Sequence, residues 1–401
     1  MKSKYDIAIA GGGIVGLISA ILLRKSRAFS ESDIYIVEKN EKKRFIARKD
    51  IDIRVSAISA GSIQILKKIN VWDKLIQERI FRYSNMCVWD GDDSIEGDSR
   101  IDFSSDQYGY RELGYIIENF QLQTRLIELA ESLDVKILFD SEIESISQLD
   151  SSDKISIGII NSGSLEVDLL IGADGSESKT RQLMNLNVRK HNYSQSALIT
   201  NVECEKHHCN TAFQRFLKHG PIALLPLGEK RSSIVWSTSP EEATFASKLS
   251  NEKLSSLLSE KSDHVLGELK VISEKAIYPL IYQHSKKYIE KNFVVVGDAA
   301  HTIHPLAGQG INLGIADAIE LTGVLEDSIM KGGYIGDIST LRAYERSRKS
   351  SNSLMLNFVH ILNKLFSSRY ITIINMRKIG MKIFNKTKLI KHQAIKTALG
   401  V

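Results

Sequence analysis

Gly11, Gly13 and Gly16 constrain this chain more than any other feature, because they fit G-x-G-x-x-G between a β-type run and a helical one. The run before them is Tyr5 to Ala10, and the segment after, Leu17 to Lys25, has helical character. The first glycine permits a tight turn and the second lets a pyrophosphate approach backbone N–H groups. The third lets helix and strand pack closely. A second β-type run, Ile34 to Val37, ends at Glu38, twenty-five residues after Gly13 and placed to accept hydrogen bonds from an adenosine ribose. The chain therefore opens with a dinucleotide-binding unit, which by itself does not choose between NAD and FAD.

At 401 residues the chain is long for one lobe, and two interleaved lobes with a tail are expected. A hydrophobic fraction of 43% with 25% charged residues excludes a wholly disordered chain and a multi-span membrane protein. Cys87, Cys204 and Cys209 are too few for a disulfide framework, so a reducing compartment is expected. The net charge of +5 conceals an asymmetry. Twelve Lys and Arg and no acidic residue fall between Arg346 and Val401, leaving 41 basic against 48 acidic residues elsewhere. A cationic tail on an acidic body suggests an anionic partner surface. Its interleaving with aliphatic residues argues against nucleic acid. Asp6 and the glycines interrupt the apolar start, and no charge-free apolar run approaches ~20 residues. A cytoplasmic protein is expected, peripheral on the inner face of the membrane.

Further along, Thr124 to Leu133 is an amphipathic helix leading to a Val135 to Phe139 strand. Val167 to Ala173 closes on Asp174 and Gly175, and Phe293 to Val296 closes on Gly297 and Asp298. Ile311, Ile315, Ala318, Thr322, Leu325 and Ile329 give the next helix one buried face. The pattern predicts an α/β fold with a discontinuous dinucleotide-binding lobe of residues 1–83, 111–187 and 283–350. Residues 84–110 and 188–282, rich in β-formers, form an interleaved, mainly β substrate lobe, and 351–401 a helical basic C-terminal segment.

Two more motifs decide the cofactor. GADGSESKTR (Gly172 to Arg181) and GDAAHTIHPLAGQGINLG (Gly297 to Gly314) each set an aspartate at a strand end, and the second turns into a helix start. A helix N-terminus suits a ribityl–pyrophosphate and the negative charge of a reduced flavin ring. With these three motifs in order, the sequence resembles the class A flavoprotein aromatic hydroxylases of the para-hydroxybenzoate hydroxylase type. RVSAIS (Arg54 to Ser59), LGYIIEN (Leu113 to Asn119) and the Gly297 to Gly314 segment narrow the likeness to the ubiquinone-biosynthesis hydroxylases. The ending KHQAIKTALG is most similar to the branch acting on demethoxyubiquinol.

The resemblance implies the para-hydroxybenzoate-hydroxylase-like fold, noncovalent FAD, NAD(P)H or another reductant, and O2 as co-substrate. Oxygen would reach the ring of a polyprenyl quinol or phenol through a C4a-hydroperoxyflavin. It also implies a peripheral membrane position or a ubiquinone-biosynthesis complex. Carried over by residue, Gly11, Gly13 and Gly16 take the pyrophosphate turn and Glu38 holds the ribose. Arg54 approaches the ribityl–pyrophosphate part and Asp298 binds the ribityl chain. Pro305, Gly308, Gln309, Gly310, Ile311 and Asn312 form the flavin-positioning turn, and Asn119 stands where relatives carry Arg or Gln against the flavin. Asp174 and Arg181 belong to a motif used for FAD and NAD(P)H; a turn-fixing aspartate with a salt bridge accounts for them equally well.

His301 and His304 flank the positioning turn and read as loop-fixing imidazoles rather than acid–base groups. CEKHHC (Cys204 to Cys209) gathers four potential ligands without paired zinc spacing, and no metal is expected. Tyr278, Pro279 and Leu280 either line the substrate pocket or bridge the lobes. Three other readings compete: a sister hydroxylase of the ubiquinone pathway acting at another ring position, on 2-octaprenyl-6-methoxyphenol or 2-octaprenylphenol, a geranylgeranyl-reductase-like flavoprotein, and a flavin-bearing assembly subunit. Leu354 to Phe366 is apolar nearly all round a helix, and Arg377, Lys378 and Lys382 punctuate the next apolar stretch. That segment either docks on a membrane or folds back as a lid on the acidic body.

Overall fold

The computed structural model describes residues 4–43, 45–46, 50–149, 152–303, 309–368 and 370–400. The runs Asp6–Ala10 and Leu169–Gly172 are apolar on both faces, the composition of parallel strands covered by helices. They form the centre of a six-stranded sheet ordered Ile289–Glu290, Phe293–Val295, Leu169–Gly172, Asp6–Ala10, Asp33–Val37, Lys136–Leu138. All pairings are parallel except the outermost one, between Ile289–Glu290 and Phe293–Val295. The Ile14–Lys25 helix packs against both the Asn119–Ser132 and Gln309–Met330 helices. Because the central strands run the same way, their carboxyl ends bring Gly11, Glu38, Ala173 and Val296 to one edge, where α/β sheets bind ligands. Gly11 N–H donates to Val37 O at 2.8 Å, Ala173 N–H to Ala10 O at 2.8 Å and Val296 N–H to Gly172 O at 2.9 Å.

The largest sheet draws strands from distant parts of the chain. Its order is His301–Thr302, Ala276–Ser285, Val188–Cys204, Arg231–Thr238, Gly220–Pro226, Thr211–Leu217, Asn85–Asp90, Arg100–Ser104, with Leu269–Val271 also paired to Val188–Cys204. Alternation sends Leu198, Val202, Ile234 and Trp236 to one face, against Ala246, Leu254 and Leu258. Those last three lie on the Pro240–Lys248 and Asn251–Lys261 helices, begun by the N-caps Ser239 and Ser250. A smaller antiparallel sheet, Val55–Ser59, Gly114–Glu118 and Ile80–Tyr83, meets the large one where Ala57 and Ile116 pack on Leu227.

The C-terminal helices, Ile338–Phe366, Ile371–Lys386 and Lys388–Leu399, fold back on the body. Leu356, Val359, Phe366 and Met381 join Val88, Phe216 and Ile303 in one apolar cluster, and the rings of Phe216 and Phe366 stack at 3.8 Å. Arg377 is buried against Asp90, Nε to Oδ2 2.5 Å and Nη2 to Oδ1 2.8 Å, and its Nη2 also reaches Asp92 Oδ2 at 2.9 Å. Lys382 pairs with Asp98 at 2.5 Å. The cationic tail thus answers acids along and between the Asn85–Asp90 and Arg100–Ser104 strands. The segment is not buried all round, however: Leu354, Phe358 and Ile361 face outward.

Candidate functional site

Gly11 has φ +102°, and a Cβ there would lie 2.4 Å from Ala173 O, so only glycine fits where the ends of the Asp6–Ala10 and Leu169–Gly172 strands meet. At Gly16 a Cβ would fall 2.1 Å from Gly11 O, which explains the close approach of helix to turn. Gly13 is different: a Cβ would meet nothing within 4 Å, because this residue faces open space. It is also the N-cap of the Ile14–Lys25 helix and supplies no side chain to the first helical N–H groups. These donors and the positive helix end are left for an anion. The turn is gripped from two sides. Buried Glu38 accepts from Gly12 N–H at 2.6 Å and from Asn40 N–H at 2.9 Å, and Gln123 Nε2 donates to Gly12 O at 2.7 Å.

The turn opens onto a cleft of about 1370 Å³ whose walls include Gly13, Glu38, Arg54, Asn119, Asp298, Gly310 and Ile311. A smaller cavity of about 260 Å³ shares Gly13 and Glu38 with it and adds Gly11 and Asp174. Exposed Arg54 lies over the Tyr278 ring, guanidinium carbon to centroid 5.8 Å. Its backbone is fixed by its N–H donating to Asp52 Oδ1 at 2.8 Å and its carbonyl accepting from Asn119 N–H at 3.0 Å. Asn119 Oδ1 is buried and has no hydrogen-bond partner among the described residues, an acceptor held ready at the wall. Asp298 is open to the cleft, yet enough protein surrounds it that desolvation, with the Asp317 charge adding, raises its pKa.

Behind Asp298 lies a buried charge network that the sequence reading did not find. Asp317 Oδ2 accepts from Gly297 N–H at 3.0 Å and from His301 Nε2 at 2.5 Å. Its Oδ1 accepts from Arg348 Nε at 2.7 Å and Asn352 Nδ2 at 3.1 Å. Asp317 and His301 are 0% exposed. Burial opposes the carboxylate charge, but His301 and Arg348 outweigh it and hold the pKa down at about 2. The signal available in the sequence was an acid beside Ile315 and Ala318 on an otherwise apolar helix face. His301 is thus a loop-fixing imidazole. A second unforeseen pair, Arg79 and Glu118, bonds at 2.6 Å through both Nε and Nη2; Glu118 Oε1 also accepts from Asp52 N–H at 2.7 Å, bracing the Arg54 segment.

Other expected residues lie differently. Asn312 does not face the cleft: it accepts from Ser59 N–H at 2.9 Å and donates to Ala57 O at 2.9 Å, so these bonds tie the helix start to the Val55–Ser59 strand. Gly16 packs behind the turn rather than lining it. Asp174 accepts from Thr180 N–H and Oγ1, both at 3.0 Å, which is the turn-fixing role. Arg181 makes no salt bridge among the described residues; buried, it donates to the Ala299 and Ser176 carbonyls at 2.8 and 3.0 Å, and desolvation lowers its pKa. Gln309 begins the Gln309–Met330 helix. Pro305, Gly308 and His304 lie outside the described residues. In CEKHHC, Cys204 ends a strand, buried His208 contacts the Gly228 carbonyl, and no metal-holding group of ligands occurs among the described residues.

FAD fits these walls. The open space at Gly13 and the free helix end suit a pyrophosphate. Glu38, just past the end of the next strand, lines the same cleft as an acceptor, and Asn119 Oδ1 lacks a donor that a ligand can supply.

Comparison with known proteins agrees with the geometry. The family model described as FAD binding domain matches residues 4–358. The 3-demethoxyubiquinol 3-hydroxylase of Escherichia coli (strain K12) is 31% identical over 399 residues, covering 99% of this chain and 98% of that protein. The mitochondrial ubiquinone biosynthesis monooxygenase COQ6 of Caenorhabditis elegans is 31% identical over 433 residues, covering 98% and 95%. Among solved structures, PqsL of Pseudomonas aeruginosa in complex with 2-aminobenzoylacetate superposes with TM-score 0.76 at 20% identity, covering 94% of this chain and 99% of that one. The p-nitrophenol 4-monooxygenase PnpA of Pseudomonas putida gives TM-score 0.76 at 17% identity, covering 100% and 99%. These two likenesses establish the fold, that of the class A flavin monooxygenases.

Proposed function

The chain belongs to the FAD-binding-domain family, within the ubiquinone-biosynthesis hydroxylases, and from that premise we propose that it hydroxylates the ring of demethoxyubiquinol. It is an FAD-dependent aromatic-ring monooxygenase. The observation that carries the choice of substrate is the end-to-end match to a 3-demethoxyubiquinol 3-hydroxylase. Bound FAD, reduced by NAD(P)H or another donor, supplies the activation of O2 from which one oxygen atom enters the ring.

The chain's own residues bind, orient and exclude water. Gly11 to Gly13 and the N-terminus of the Ile14–Lys25 helix take the pyrophosphate, and Glu38 accepts from the ribose hydroxyls. Arg54 neutralises the pyrophosphate side, and Asp298 accepts from the ribityl chain. Asn119, Gly310 and Ile311 position the ring system, with the Gln309–Met330 helix directing its positive end toward developing negative charge. A quinol ring is electron-rich, so oxygen transfer needs positioning and a dry site more than a strong base. We assign residues 1–83, 111–187 and 283–350 to the FAD lobe and 84–110 with 188–282 to the substrate lobe. The protein is placed on the cytoplasmic face of the membrane, peripherally, where a polyprenyl substrate resides.

The test supplies purified, FAD-loaded protein with NADH, 18O2 and a short-chain demethoxyubiquinol. One 18O in the hydroxylated product is expected. Turnover only of a methoxyphenol or phenol precursor moves the reaction to another ring position. Reduction of prenyl double bonds without O2 uptake replaces hydroxylation altogether.

A further inference from the structure

Ten of the seventeen large apolar side chains exposed among the described residues lie between Leu354 and Ile390. They are ordered. Leu354, Phe358 and Ile361 recur at i, i+4, i+7 on the Ile338–Phe366 helix, and Met376, Ile379 and Ile383 at i, i+3, i+7 on the Ile371–Lys386 helix. Their exposures run from 58% to 72%. The opposite faces are committed to the body through Leu356, Val359, Phe366 and Met381 and through the buried Arg377–Asp90 pair. Rotating the apolar stripes inward would break that pair, so these stripes face outward as part of the fold.

The charges that the segment itself carries have one sign. No Asp or Glu occurs from Arg346 to Val401. Arg348, Arg377 and Lys382 are used in ion pairs with the body, and Lys349, Lys378 and Lys391 donate to carbonyls. Lys364, Lys386, Lys388 and Lys396 are exposed and form no ion pair among the described residues. They follow the stripes directly: Lys364 comes three residues after Ile361, Lys386 three after Ile383, and Lys388 precedes exposed Leu389.

We propose that this face docks the enzyme on an anionic phospholipid surface, a conclusion that rests on the reading of the substrate as a polyprenyl quinol. An apolar band with a cationic rim, on a segment that carries no acid of its own, matches anionic headgroups over acyl chains. A second copy would set lysine rim against lysine rim. Attachment is peripheral, since no helix among the described residues is long and apolar enough to cross a membrane. Leu356 and Val359, on the inner side of the first stripe's helix, share a cluster with Ile303, whose Cγ2 lies 3.9 Å from where a Gly310 Cβ would sit at the cleft wall. The helix that carries the first stripe is thus packed in the same apolar cluster as a residue beside that end of the cleft.

Flotation of the full-length, FAD-loaded protein with phosphatidylcholine vesicles, with and without phosphatidylglycerol, tests the proposal. The wild type floats only with phosphatidylglycerol and is released as salt rises. The double substitution Ile379→Glu, Ile383→Glu weakens vesicle affinity roughly tenfold or more, and Lys386→Glu with Lys388→Glu removes most of the salt dependence. Both variants keep FAD and hydroxylate a short-chain, water-soluble quinol at the wild-type rate. A wild type that ignores anionic vesicles, variants that float equally well, or a solution dimer that the isoleucine variants dissociate would each overturn the docking surface. A wild type that floats but never hydroxylates the soluble quinol would instead sink the functional reading.

Discussion

Asp317→Asn is the perturbation that best separates cofactor positioning from general stability. The carboxylate is 0% exposed and accepts from four donors: Gly297 N–H, His301 Nε2, Arg348 Nε and Asn352 Nδ2. An amide there removes the charge facing Arg348 and turns an NH2 toward at least one existing donor. Breaking one side of a buried charge pair costs about 3–5 kcal/mol, against a whole-protein stability on the order of 5–15 kcal/mol. The Gly297 N–H bond to a charged acceptor is worth about 1.5–3 kcal/mol, so if that loss loosens the turn carrying Asp298, FAD affinity falls roughly ten- to hundredfold. Denaturant midpoints give the first quantity, and titration of apoprotein with FAD by fluorescence quenching gives the second. The double variant Asp317→Leu, Arg348→Met separates the two effects. It removes both charges and so recovers the part of the stability lost to the unpaired charge, but leaves Gly297 N–H, His301 Nε2 and Asn352 Nδ2 without their acceptor and FAD binding weak. An Asp317→Asn protein with wild-type midpoint and FAD affinity would refute the reasoning. A double variant that regains both would confine Asp317 to holding the fold.

Gly13→Val fills the open space on the cleft side of the turn without meeting protein, so it should fold yet purify without FAD. Glu38→Ala should weaken FAD by about 1.5–3 kcal/mol; a yellow Gly13→Val protein with full FAD occupancy would reject the assignment. Acid stability should show two histidines: burial lowers His208 and His284 to about 4 from the ordinary 6.5. The unfolded chain then binds protons that the folded one refuses as pH falls from about 6.5 to 4, and stability should drop by about 2 kcal/mol per histidine across that window. Denaturation midpoints measured from pH 7 to pH 4 check this, and a His208→Gln protein should lose part of the slope.

What could be read from the sequence was local, and what could not was long-range. The turn at Gly11–Gly16 is legible because strand, glycines, helix and Glu38 follow one another within forty residues and each requirement falls on a named position. Asp317 is opaque to the same reading because its partners are sixteen, thirty-one and thirty-five residues away on other elements. Glu118 and Arg79, thirty-nine residues apart, are opaque for the same reason. Asn312 misled because adjacency to a glycine-rich turn suggests a ligand contact, whereas helical geometry turns its side chain toward the Val55–Ser59 strand. For Asp174 the turn is fixed by Thr180, six residues on, which supplies both donors, while the residue also lines the small cavity beside the glycine turn.

The C-terminal segment shows why apolar periodicity is an incomplete guide when charge partners are distant. Residues Leu354 to Phe366 suggest a helix apolar nearly all round, a pattern that suits burial in protein and burial in lipid equally. The distinction comes from Asp90, Asp92 and Asp98, which lie more than 280 residues earlier and capture Arg377 and Lys382. Once those pairs form, one face of each helix is spent on the large sheet and the other is left outward. Deleting everything after Ser353 would therefore remove both faces together. It would strand Asp90, which is 0% exposed, without its counterion and strip the cover from Val88 and Phe216. Loss of vesicle binding in such a truncation would be indistinguishable from loss of fold, and only substitutions confined to the outward face, such as those at Ile379 and Ile383, can separate attachment from folding.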